Sequence, residues 1–221
     1  MAKSFLVVIE GFVVLVVTHW VCAEYLALRL LQINSNIPWV TAGVISSTVS
    51  PLVGAIYMGL RLRHIPLISI KAQTFLTAAV AILLAWLAVF LQTLVLGKEI
   101  PFAQEILQTG SQPRYFYVTL FIVVAWGPFL EETLNRGYFF ETLRRTWGHT
   151  VSLLISSFLF VSFHGIFDVI QDGKVGYDLL FILLDSVIFT LAYIRGGLVA
   201  AILTHMFVNF YLTYLNMYTE G

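Results

Sequence analysis

Seven long apolar stretches run through this chain with only short polar turns between them. They lie near residues 5–31, 37–60, 74–96, 115–143, 150–167, 179–194 and 198–218. Crossing a hydrocarbon core of about 30 Å takes a helix of roughly 20 residues, and the stretches cluster around that length. In lipid a helix satisfies its own backbone N–H and C=O groups, whereas an open sheet cannot. The pattern therefore predicts an all-α fold, a polytopic membrane helix bundle of about seven spans, with six to eight compatible with the sequence. Charged residues make up 11% of the 221 positions, less than half the roughly 25% of soluble domains. Turns fall at QINSNIP (32–38), RLRHIP (61–66), GKEIPF (97–102), TWGH (146–149), DVIQDGK (168–174) and RGG (195–197). Without a low-complexity linker or a clear internal repeat, residues 1–221 read as a single membrane domain in the lipid bilayer.

Lys3 is followed by an apolar run too long for a cleavable signal, so the first stretch is expected to be a retained span. A lone cysteine, Cys22, excludes an internal disulfide framework, and a formal net charge of zero gives no reason to expect nucleic acid as a partner. Seven spans place the termini on opposite faces. With the N-terminus cytoplasmic, Lys3, Arg61, Arg63, Lys71, Arg136, Arg144, Arg145 and Arg195 fall inside. Arg29, Lys98, Arg114 and Lys174 fall outside, beside Asp168, Asp172 and Asp178. That excess favours N-in, C-out, in the plasma membrane if the organism is prokaryotic.

Ionisable residues inside spans are costly and mark functional sites by default. Here they are Glu10, His19, Glu24, Glu131, Glu132, Arg136, His164, Asp185 and His205. Glu132 and Arg136 stand one helical turn apart and can neutralise each other. Glu131, rotated about 100° from Glu132, is then the acid left for chemistry. The rival reading of EETLNR is an amphipathic interfacial helix. Trp147 lies sixteen residues after Glu131 and seventeen before His164. An antiparallel helix hairpin turning there brings carboxylate and imidazole to one depth, where they can activate a water. A lone intramembrane histidine otherwise serves helix packing. His205 and Asn209 share a face, and two hydrogen-bond donors suit a developing oxyanion as well as a polar helix-packing seam.

Taken in order, EETLNRG (131–137), FVSFH (160–164) and HMFVN (205–209) resemble the EExxxR, FxxxH and HxxxN motifs of the CPBP family. These intramembrane proteases include type II CAAX prenyl endopeptidases and the bacteriocin-processing and self-immunity Abi proteins. The resemblance covers about residues 115–218. It implies that Glu131 is the general base, that His164 positions and polarises the water, and that His205 and Asn209 stabilise the oxyanion. It also makes Glu132 and Arg136 a structural ion pair. The implied reaction is hydrolysis of a peptide bond in a membrane-associated or lipidated protein or peptide, by direct attack of water. A non-catalytic scaffold or immunity role in the same family is the alternative; a transporter is disfavoured because no duplicated halves are visible. No cofactor is expected. Zinc on Glu131, His164 and His205 is the minority reading, since no HExxH pair is present.

Overall fold

In a computed structural model the protein is described over residues 2–63, 66, 68–96, 113–172 and 178–219; side chains at 23–24, 39–40, 95–96, 113–114, 166–172, 178 and 215–219 fall outside the description. All of the regular structure among the described residues is helical. The first rod, α1, covers residues 2–33 and is made of Ala2–Val21, a π-helical turn Cys22–Leu26, and Ala27–Ile33. It is followed by α2 (Trp39–Leu62) and α3 (Ala72–Leu96). The next rod, α4, runs from Pro113 to a break at Gly148, and α5 continues from that break to Asp172. Last come α6 (Asp178–Gly196) and α7 (Leu198–Thr219). Five segments are long and apolar enough to span a membrane, with Leu198–Tyr214 as a shorter apolar helix. One of the five, Tyr115–Gly165, is the folded pair α4–α5, which brings the rods among the described residues to seven. The chain is an integral membrane helix bundle.

Two glycines make the sharp corners. Gly148 has φ +73° and ψ −177°, a region that is essentially glycine-only, and it turns α4 into α5 within one residue of Trp147. Gly197, at φ +81°, ends α6 by donating its N–H to Tyr193 O (2.9 Å) and at once accepts from Ala200 N–H, so α7 starts without a loop.

Lipid inverts the usual distribution of side chains. Large apolar residues such as Leu60, Leu76, Leu83, Phe158 and Leu180 face outward, while Thr41, Ser46, Ser50, Thr119, Ser156 and Thr204 are buried. The inward hydroxyls bond the preceding turn, as Ser46 does to Ala42 O (2.7 Å), or each other, as Thr41 and Thr119 do between α2 and α4 (2.9 Å). Two apolar clusters result. One joins α1, α2, α4 and α5 through Val8, Leu15, Met58, Leu134, Phe139 and Leu159. The other joins α3, α6 and α7, where Ala78, Ala81, Ala85 and Ala88 let the helices approach closely against Phe189 and Ala200. The polar site lies where these clusters meet.

One expectation needs correction. Arg136 was counted with the cytoplasmic-face charges, but its side chain is only 1% exposed and pairs inside the bundle, so it does not bear on orientation. Lys98, Lys174 and the side chains of Arg114, Asp168, Asp172 and Asp178 lie outside the described residues.

Candidate active site

The site begins with a proline. Around Gly127–Glu132, α4 widens into π-helical turns at Ile122–Trp126 and Thr133–Phe140. In the first, Gly127 N–H reaches back five residues to Ile122 O. The next bond in that pattern would run from residue 128 to Val123 O, but Pro128 has no N–H. The Val123 carbonyl is met instead from α7: Asn209 Nδ2 donates to it at 2.9 Å. In the second turn, Thr133 Oγ1 donates to Phe129 O (2.7 Å) and Asn135 Nδ2 to Glu131 O (3.2 Å). The two adjacent acids lie on the α-helical stretch Gly127–Glu132 between these turns, where successive side chains diverge by about 100°.

Glu132 points into the bundle and is fully buried. Its Oε1 accepts from Arg136 Nη1 at 2.8 Å and from His205 Nδ1 at 2.9 Å. The Arg136 guanidinium is satisfied on every side: Nη2 donates to Ser186 O (2.8 Å) and Oγ (2.7 Å), and Nε to Thr190 Oγ1 (3.3 Å). Phe160 and Phe189 cover it, their ring centres 4.8 and 5.6 Å from the guanidinium carbon. The ion pair read from the spacing is present. The cation's partners on α6, Ser186 and Thr190, were not foreseen, although their spacing of four puts them on one face.

Glu131 turns the other way and is 22% exposed. Its Oε2 stands 3.8 Å from His164 Nε2 and 4.0 Å from His205 Nε2, too far for direct hydrogen bonds. The hairpin at Gly148 does bring Glu131 and His164 level. His164 Nδ1 lies 2.8 Å from Phe160 O; a carbonyl only accepts, so Nδ1 carries the proton and Nε2 presents its lone pair to Glu131. The same arrangement recurs at His205, whose Nδ1 lies 2.9 Å from Glu132 Oε1, the oxygen that also accepts from Arg136, so that a proton on Nδ1 leaves Nε2 as the lone-pair nitrogen. Phe160, the first residue of FVSFH, packs on His164 (4.4 Å between ring centres), on His205 (6.0 Å) and on Arg136. One ring thus sets the spacing of three polar groups. Phe189 stacks on the other face of His205 at 4.5 Å.

His205 and Asn209 do not simply aim two donors at one point. One amide N–H of Asn209 is committed to Val123 O, and in the tautomer above the free His205 nitrogen is an acceptor. For zinc, bonds of about 2.0–2.2 Å in a tetrahedron bring donors to within about 3.4 Å of one another. The observed 3.8 and 4.0 Å are wider. Among the described residues no group of three or more His, Cys, Asp or Glu side chains is placed to hold a metal ion. As they stand, these side chains do not fit zinc.

The other intramembrane ionisable groups separate from this centre. Glu10 accepts from Arg61 (3.1 Å) and Tyr57 (3.3 Å). His19 bonds Ser50 at 3.1 Å and meets the edge of Phe163. Asp185 has a buried Oδ1 without a hydrogen-bond partner among the described residues. The Glu24 side chain lies outside the description. Cys22 is buried.

The fold and the site together define a polytopic membrane protein with a carboxylate and two imidazoles converging from α4, α5 and α7 beside a buried arginine pair. Residues 113–211 match the family model described as type II CAAX prenyl endopeptidase Rce1-like, so this segment carries the family's signature and the likeness to CPBP proteases holds. The match takes in all three motifs and begins after α3. It supports a CAAX-protease-like peptidase at the level of the family. No curated protein and no solved structure gives a significant match to the chain.

Proposed function

We propose that the protein is an intramembrane endopeptidase of the glutamate type, cleaving a membrane-associated or lipidated protein or peptide by activated water. The observation that carries this reading is the convergence of three lone-pair acceptors, Glu131 Oε2, His164 Nε2 and His205 Nε2, around one point that solvent partly reaches. A water there gives its two hydrogens to two of the acceptors and keeps a lone pair for the substrate carbonyl. Glu131 takes the proton as the water oxygen bonds the carbonyl carbon. His164, held by Phe160 O, orients the water. The oxyanion is met by the second N–H of Asn209 and by His205, whose Nε2 takes a proton from bulk water as charge develops on the oxygen and returns it when the C–N bond breaks, with Glu132 holding the imidazolium through Nδ1. The C–N bond then breaks, and the proton on Glu131 passes to the leaving amine. No acyl-enzyme is formed and no cofactor takes part.

The test is a comparison of terminal peptides by quantitative proteomics in the native organism, between wild type and a chromosomal Glu131→Gln strain of matched abundance. One or a few precursors should accumulate uncleaved in the variant, and their missing termini name the substrate. If no terminus changes, while deletion gives a phenotype that Glu131→Gln rescues, the protein is a scaffold and the protease reading is wrong.

A further inference from the structure

On the far side of α6 from this site, a groove of about 490 Å³ opens between α3 and α6. At 100° per residue, its α6 lining positions Ile188, Leu191, Ala192 and Arg195 face away from Ser186, Phe189 and Thr190, which serve Arg136 and His205. The groove is therefore separate from the proposed active site. Its volume lies in the range of specific small-molecule sites, about 300–1,000 Å³.

The floor is made by Ala81 and Ala192, both buried, where small side chains leave room between the helices. Leu84 and Leu191, outward-facing and apolar, form the walls. The polar groups gather at one end. Thr74 Oγ1 on α3 donates to Gly196 O on α6 at 2.9 Å, which sets the start of α3 level with the end of α6. That brings Gln73, Thr77 and Arg195 to a common mouth. No carboxylate lines the groove. Arg61, Arg144 and Arg145 are each paired with a glutamate, whereas Arg195 is exposed and makes no ion pair among the described residues. The N-terminus of α3 adds positive potential at the same place.

Length identifies the occupant. From Gln73 to Leu84 is eleven residues, about 16 Å along α3, or about half of a 30 Å hydrocarbon core. A groove that is cationic at the interface and apolar for the depth of one leaflet matches a phospholipid with a negative headgroup. We infer that this groove binds one anionic phospholipid, its phosphate on Arg195 and Thr77 and one acyl chain along Leu84 and Leu191. The lipid splints α3 to α6, the helix that holds Arg136 in place.

Native mass spectrometry of the full chain, titrated with phosphatidylglycerol or phosphatidylcholine of identical acyl chains, tests the assignment, with inorganic phosphate as a third arm. Wild type should retain phosphatidylglycerol about fivefold more strongly than phosphatidylcholine, the preference expected of one basic side chain at an anionic surface. Arg195→Gln should remove that preference and Arg195→Lys keep it. Val80→Trp, at an exposed wall position, should weaken both lipids by filling the groove. Equal retention of the two lipids by wild type overturns the proposal. So does unchanged phosphatidylglycerol binding in Val80→Trp, or competition by phosphate alone, either of which would mean a surface charge effect without a seated chain.

Discussion

Replacing Glu132 with alanine leaves the Arg136 guanidinium inside the bundle without its anion. The two side chains are 0% and 1% exposed and 2.8 Å apart, so no solvent takes the carboxylate's place. Arg136 keeps its bonds to Ser186 and Thr190 and its two aromatic covers, but these are neutral. His205 loses the acceptor on Nδ1 in the same step. Breaking a buried pair from one side costs about 3–5 kcal/mol, a large part of the roughly 5–15 kcal/mol that holds a typical domain. For a chain of this size that is a fall of about 6–20 °C in Tm. Glu131→Gln is the matched control, because Glu131 is partly exposed, makes no direct side-chain hydrogen bond among the described residues, and is replaced by its isostere. Thermal unfolding of both purified variants in one detergent, with membrane abundance measured alongside, separates them. The double change Glu132→Leu with Arg136→Met should recover more than half of the lost stability, since apolar residues can replace a buried pair at little cost, but should recover no activity. Equal Tm values for Glu132→Ala and Glu131→Gln would refute the division of labour between the adjacent acids.

Loss of a general base costs roughly 10²–10⁴-fold in rate, so Glu131→Gln should lower kcat by at least about a hundredfold with Tm unchanged, as read with a reconstituted substrate. Asn209→Ala strands the Val123 carbonyl and should destabilise by about 1–3 kcal/mol; adding Pro128→Ala, which restores an N–H five residues on, should return most of the Tm but not the activity. Recovery of activity in that double variant would assign Asn209 a purely structural task. Peptidase activity should survive 1,10-phenanthroline, and an inhibition reversed by added zinc would move the chemistry onto a metal. Gly148→Ala forces a side chain into a glycine-only conformation and should cost about 1–3 kcal/mol, detectable as a lower Tm together with reduced kcat, because the turn sets the Glu131–His164 register.

Much of this was readable before any coordinates because lipid imposes so few solutions. Apolar stretches of membrane length became helices, and equal arm lengths around Trp147 put Glu131 opposite His164. The Glu132–Arg136 pair follows from a spacing of four. What stayed hidden depends on departures from regular geometry. No spacing rule announces that Pro128 combined with a π-helical turn will orphan the Val123 carbonyl, and so nothing pointed Asn209 toward it. Phe160 is marked by the FxxxH motif, but its place between Arg136, His164 and His205 emerges only when three helices pack. Arg136 was misplaced at the membrane face because a charge tally has no knowledge of depth.

The four-residue spacing of Glu132 and Arg136 also bears on biogenesis. A chain emerging N-terminus first delivers α4 to the membrane before α6 and α7 have been synthesised. At that moment Ser186, Thr190 and His205 do not yet exist as partners. A lone arginine or acid at mid-helix costs about 2.5–3.5 kcal/mol to insert. Because the two charges lie on one face of one helix, they enter the bilayer already neutralising each other, and the later helices dock onto a pair that is waiting for them.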